Sequence, residues 1–251
     1  MGWLGRAAIA ALAIFVVAPV GAAEIKVLCI PAMRSSFEVL LPQFERDSGD
    51  KVSVTYQIYP GQKSRLEAGN FDVALFARPQ IAELNKQGKT VAATTADIAR
   101  TSIGVAVKSG APKPDVSSEE AFKRTLLVAK SITYTKESQT GVYLTRRLES
   151  LGVMDAIKDK LILQPGGAMT TPAVARGEAE LGIVLVSDIL GTPGVDLVAP
   201  LPSTLQNYVM QTAAVGATSK QPAQAAALIK YFTSLAAGAV FKAKGFDPAG
   251  K

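Results

Sequence analysis

The chain reads as an α/β protein of two lobes, each a mostly parallel sheet flanked by helices, with a cleft between them. Three observations predict this. Short apolar, β-branched runs alternate with amphipathic helical segments from Glu24 onward, the order that builds a parallel sheet covered by helices on both faces. A second series of the same kind begins after Gly110-Ala-Pro-Lys-Pro114. A last strand and an alanine-rich helical stretch then follow, able to pack back on the first series. The expected division is residues 24–101 with 211–251 as lobe I, and 102–210 as lobe II.

Taken in order, Ile25-Lys-Val-Leu-Cys-Ile30 reads as a short buried strand. Ser35 or Ser36 can cap the helix that follows, whose Phe37, Leu40, Leu41 and Phe44 fall on one face. Pro42 interrupts that pattern and argues against a straight helix. Val52–Ile58 has strand composition and ends at Pro60-Gly61; Gln62–Gly69 is a short helical turn stopped by glycine. Phe71–Phe76 is another buried strand, and Pro79 opens a helix through Lys86. In the second series Ile103–Val107 is a strand, and Ser117 with Glu120 has capping-box spacing for a helix ending near Thr125. Ser131–Tyr134 is a strand, Thr140 precedes a helix bearing Val142, Leu144, Leu148 and Leu151, and Pro172 opens another helix between strands 161–163 and 181–186. Val209–Val215 is the last strand, before a helical stretch from Gln221 to Lys244 interrupted by Gly238.

The first residues speak to the compartment. One charge, Arg6, precedes an apolar and small-residue stretch from Ala7 to Val20, followed by Gly21-Ala22-Ala23. This is the pattern of a secretory signal peptide cleaved after Ala23. The rival reading is an uncleaved anchor, for which the run is shorter than the ~20 residues a span requires. The only cysteine, Cys29, lies beyond that cut and permits no internal disulfide. The net charge of +6 falls by one to +5 with the loss of Arg6. It is spread along the chain without a basic run, which argues against a nucleic-acid partner. The sequence contains no histidine, which excludes Ser-His-Asp and Cys-His nucleophile systems and the usual zinc sites. No cofactor or metal is expected.

Several stretches occur in an order that identifies a family. They are Val27-Leu-Cys-Ile-Pro-Ala-Met-Arg-Ser-Ser-Phe37, Gln43-Phe-Glu-Arg-Asp-Ser-Gly49, Arg65-Leu-Glu-Ala-Gly69, Phe71-Asp-Val-Ala74, Gly141-Val-Tyr143, Gly177–Val184, Val186-Ser-Asp188 and Ala239–Phe246. Together they resemble the periplasmic molybdate-binding proteins of ABC transporters. The resemblance implies a type II periplasmic-binding-protein topology, a periplasmic monomer, a small anion held between the lobes and a permease in the inner membrane as partner. Such proteins hold molybdate or tungstate with two serines, backbone amides and a tyrosine. Here Ala32 stands at the first serine position, Ile58-Tyr-Pro-Gly61 offers no second serine, and Leu185 replaces the tyrosine. The expected ligand is therefore an organic carboxylate or a molybdate-like oxyanion, the carboxylate first. The alternative of a different class is catalysis, because the superfamily also resembles a periplasmic aconitate isomerase, which moves a proton without metal.

The candidate ligand contacts follow from position. Arg34 and Ser35 lie at the first strand-to-helix turn, where helix amides favour anions. Arg78 lies just past the third strand, and arginine forks suit carboxylates. The other reading of each arginine is a solvated loop charge. From the second lobe come Thr140 and Gly141 at a helix start, and Gly167 and Ala168 in the Pro165–Met169 loop, which otherwise is a plain turn. Tyr59 and Met169 can shield an apolar ligand body, or serve as packing. In the catalytic alternative Lys63 and Glu137 are the candidate bases.

Overall fold

A computed structural model describes residues 23–165 and 169–249. The expected signal segment and the Gly167–Ala168 contacts fall outside the described residues, Ala23 excepted. The first strand, β1 (Glu24–Cys29), ends in a 3-10 turn, Pro31–Met33, that runs straight into α1 (Arg34–Ser48). That junction corrects the expected serine cap. The amides of Met33 and Arg34 are already taken by the carbonyls of Ile30 and Pro31, so Met33 holds the cap position and neither serine caps. Helix α1 buries Phe37, Leu40 and Phe44 as its spacing predicts. It also continues through Pro42, which is exposed, so the missing amide falls on the solvent face.

The first series continues with β2 (Lys51–Tyr56), α2 (Lys63–Ala68), β3 (Val73–Ala77) and α3 (Arg78–Lys86). Next comes β4 (Ala96–Lys108), much longer than the expected 103–107 because it serves two groups of strands. Its first half pairs antiparallel with the strand 208–215, and from Ile103 onward it pairs with the strands 181–185 and 195–200. The second series then contains α4 (Glu119–Val128), β5 (Ile132–Thr135), α5 (Gln139–Ser150), α6 (Met154–Ile157), β6 (Leu161–Gln164) and α7 (Thr170–Arg176). It ends with β7 (Leu181–Leu185), α8 (Val186–Leu190) and β8 (Val195–Pro200), a strand the sequence reading missed. The cap of α4 is Ser118, one residue past the expected Ser117, whose own hydroxyl turns back to Asp115. Likewise Ser138 caps α5, which puts Thr140 inside its first turn.

The chain returns through β9 (Tyr208–Val215), then α9 (Pro222–Phe232), α10 (Leu235–Ala243) and β10 (Asp247–Pro248). The break between the two helices lies at Thr233–Ser234, where Ser234 caps α10, and bends the pair by 60°. Gly238, the expected interruption, sits inside α10. Strand order is β2-β1-β3-β9-β4-β7-β5-β6, with β8 and β10 also on β4. Parallel pairs β1–β2 and β1–β3 form one group, and β5–β6 and β5–β7 the other. Phe37, Phe232, Phe241 and Phe246 fill the first group's core, with Phe37 stacked on Phe232 at 4.6 Å. Both groups present the carboxyl ends of their parallel strands to a common cleft, where ligands of open α/β sheets bind.

Candidate functional site

The cleft is a cavity of about 80 Å³, several times the space one water needs. Five strand ends and β9 build it: Ile30 and Ala32 at β1, Ile58 and Tyr59 at β2, Ala77 and Gln80 at β3, Thr135 and Ser138 to Gly141 at β5, Leu185 and Asp188 at β7. Most of this lining is apolar, and Tyr59 packs edge-on against Phe76 at 5.2 Å. The three places where the family resemblance puts hydroxyl contacts all line the cavity, holding Ala32, Ile58-Tyr59-Pro60 and Leu185.

The polar side of the cavity is the start of α5. Ser138 Oγ accepts from the Gly141 amide at 3.0 Å and donates to the Thr135 carbonyl at 2.8 Å, which locks the first turn. The amides of Gln139 and Thr140 have no acceptor among the described residues. Both residues line the cavity, and amides at a helix start attract negative charge. Gly141 is required by contact alone. A Cβ there would lie 1.9 Å from the Thr135 carbonyl oxygen, so the strand and the helix turn approach closer than any side chain allows.

Among the described lining residues Asp188 is the one charged side chain. Its carboxyl has no hydrogen-bond or ionic partner among the described residues. Burial holds it at about 7, well above an ordinary aspartate. Gln211 on β9 is fully buried, and neither its Oε1 nor its Nε2 has a partner. Gln80 Oε1 accepts from the Ala77 amide at 3.2 Å, and its nitrogen has no acceptor among the described residues. Tyr134 Oη is engaged with Thr145 Oγ1 at 3.0 Å.

Of the residues read from the sequence, the fold brings Tyr59, Thr140 and Gly141 together around this cavity. It does not bring Arg34, Ser35 or Arg78 there. The Arg34 guanidinium lies 4.2 Å over the Tyr56 ring, and with Ser35 it lines a neighbouring crevice of about 190 Å³. Arg78 turns away to Asp97. Lys63 is exposed beside Glu67, and Glu137 is exposed outside the cavity. Sequence reasoning missed Asp188 and Gln211. Both had a signal: Asp188 is the first acid past an apolar strand, and Gln211 is an amide inside one.

With this geometry established, comparison with known proteins places the chain. The family described as bacterial extracellular solute-binding protein matches residues 25–247. The chain belongs to that family. The chain is also 32% identical over 234 residues to an aconitate isomerase of a Pseudomonas species, covering 88% of this chain and 87% of that one. It is 30% identical over 234 residues to the molybdate-binding protein ModA of Azotobacter vinelandii, covering 90% of each. Among solved structures, the periplasmic molybdate-binding protein of Azotobacter vinelandii superposes with a TM-score of 0.74 at 19% identity, over 88% of this chain and 98% of that one. The sulfate-binding protein SubI of Mycobacterium tuberculosis gives 0.75 at 19%, over 90% and 87%. These structures share the two-lobed type II fold that the sequence predicts.

Proposed function

We propose that this solute-binding protein captures a small organic carboxylate in the interlobe cleft and passes it to a membrane permease of the ABC type. The observation that carries this is the open start of α5: Gln139 and Thr140, whose amides are unpaired among the described residues, line a cavity whose described lining holds no lysine or arginine. Neutral dipoles aimed inward favour an anion without fixing its charge. The apolar lining from Ile30, Ile58, Ile183 and Leu185 suits a carbon body, and the missing serines disfavour a tetrahedral oxyanion. Secretion to the periplasm after removal of residues 1–23, and action as a monomer, belong to this reading. So does a division of the chain at 101/102 and 210/211, inside β4 and β9.

A thermal-shift panel on the mature protein tests it, with citrate, both aconitates, tartrate, malonate, sulfate, molybdate and tungstate. A ligand at 100 times its dissociation constant adds about 2.7 kcal/mol. Stabilisation by carboxylates supports the reading; stabilisation by molybdate or tungstate alone overturns it.

A second reading is favoured by Asp188 and by the aconitate isomerase relative. A carboxyl held near 7 at the cleft is poised to take and return a proton, which is the whole chemistry of shifting a double bond along a polycarboxylate. Incubation with cis- or trans-aconitate and separation of the products distinguishes this from retention: an isomerase interconverts the two, a binder leaves each unchanged.

A further inference from the structure

The polar atoms of the cleft do not balance. The donors that can meet an anion are the Gln139 and Thr140 amides, the Thr140 hydroxyl, Gln80 Nε2 and Gln211 Nε2. Two acceptors are left over, Gln211 Oε1 and the Asp188 carboxyl, and neither has a partner among the described residues. Gln211 is fully buried, and buried polar groups in folded proteins are nearly always paired, so its partner comes from whatever fills the cavity; the Asp188 carboxyl is partly exposed and borders the same cavity. A fully deprotonated tetrahedral oxyanion offers acceptors alone and leaves Gln211 Oε1 without a donor. An organic acid with a hydroxyl, or with one carboxyl still protonated, offers the donor that fits.

We infer that the cleft selects a small organic acid carrying its own proton donor, a hydroxy acid or partly protonated polycarboxylate, with Gln211 and Asp188 as the specificity-determining acceptors. At pH 8 the Asp188 carboxyl and a ligand carboxylate share one proton taken up from solution, and the ligand's own hydroxyl or protonated carboxyl donates to Gln211 Oε1. The inference rests on the carboxylate-binding reading of the cleft. The other titratable groups lining the cavity are Tyr59 and Tyr134, and Arg34 and Glu38 of α1 line the crevice that Asp188 also borders. None of them forms an ion pair or hydrogen bond with the Asp188 carboxyl.

The test is titration calorimetry of the mature chain at pH 8, in two buffers of different ionisation heat, with citrate, tartrate, trans-aconitate, sulfate and tungstate. The expected result is citrate or tartrate binding at least about tenfold tighter than sulfate or tungstate. Uptake of about one proton per bound acid accompanies it. Asp188→Asn abolishes the proton uptake, and Gln211→Met narrows the preference for hydroxy acids over oxyanions. A circular-dichroism melt of each variant separates lost selectivity from lost folding. Tight binding of an acid with no proton uptake, unchanged in both variants, overturns the inference and leaves the carboxylate reading intact. Sulfate or tungstate binding as tightly as citrate overturns it too. No binding by any probe removes the carboxylate reading, and the inference with it.

Discussion

Arg78 closes on Asp97 through both Nε and Nη2, and the same carboxylate accepts a hydrogen bond from Thr212 Oγ1 at 2.6 Å. The start of α3 is thereby tied to the paired strands β4 and β9, and an arginine at a strand's carboxyl end serves a structural contact rather than the cleft. The pair is partly exposed, so its worth is at the low end for ion pairs. Arg78→Ala is expected to lower stability by about 0–1 kcal/mol and to change ligand affinity less than about twofold. Asp97→Ala is expected to be worse, by about 1–3 kcal/mol, because Thr212 is buried and keeps an unpaired hydroxyl. Urea melts and a ligand titration on the two variants check this. A tenfold loss of affinity in Arg78→Ala would return the arginine to the site.

The contrast between Arg78 and Thr140 shows what the sequence could and could not convey. Periodicity and strand composition located most of the elements, because burial imposes a period of two or 3.6 on side chains wherever one face is covered. They failed at β8, whose Val195–Pro200 is mostly half-buried and ends in proline. Cap positions slipped by one or two residues, Ser117 for Ser118 and Thr140 for Ser138, because neighbouring hydroxyls are equivalent until backbone geometry chooses. The site was legible only where backbone dictates it, at the Tyr59 turn and the Thr140-Gly141 helix start. Side-chain direction was not. Arg34 found an aromatic face and Arg78 found a carboxylate, neither near in sequence. Asp188 and Gln211 went unremarked because sequence shows neither burial nor the lack of a partner.

The cap of α5 holds the donors of the cleft in place. Ser138→Ala removes the acceptor of the Gly141 amide, and loss of such a cap costs about 0.5–2 kcal/mol. Thr140→Val keeps the shape and deletes the hydroxyl, so stability is expected to hold while affinity for the bound anion falls about tenfold. Thermal melts and titrations on the two variants should separate: Ser138→Ala loses stability first, Thr140→Val loses affinity alone. An unchanged affinity in Thr140→Val would mean that its hydroxyl does not meet the ligand.

Gly141→Ala is the sharpest steric test of the site. The added methyl would sit 1.9 Å from the Thr135 carbonyl oxygen and 2.8 Å from that of Lys136. Both are backbone atoms, so relief requires moving β5's end away from α5. The expected loss is about 3 kcal/mol or more, with binding lost as well because the helix start shifts. A melting temperature close to the parent's would show that the strand and the helix are not so tightly apposed.

Asp188 ties stability to pH in a direction opposite to most carboxylates. Burial raises its carboxyl to about 7, above the ordinary 3.8. Between those values the folded chain holds a proton that the unfolded chain has released. Stability therefore falls as pH rises through that window, at about 1.4 kcal/mol per pH unit, and the loss is complete above about pH 7. Asp188→Asn has no charge to bury, so it is expected to match the parent near pH 4 and to exceed it by roughly 2–4 kcal/mol at pH 8. Urea melts of parent and variant at pH 4, 6 and 8 measure the difference directly. A gap that widens with pH means that the empty cleft carries a strained carboxylate, the free energy of which a proton-bearing ligand can release on binding. A gap that stays flat means that the carboxylate is solvated or paired in solution, and the acid–base role assigned to it fails along with the prediction.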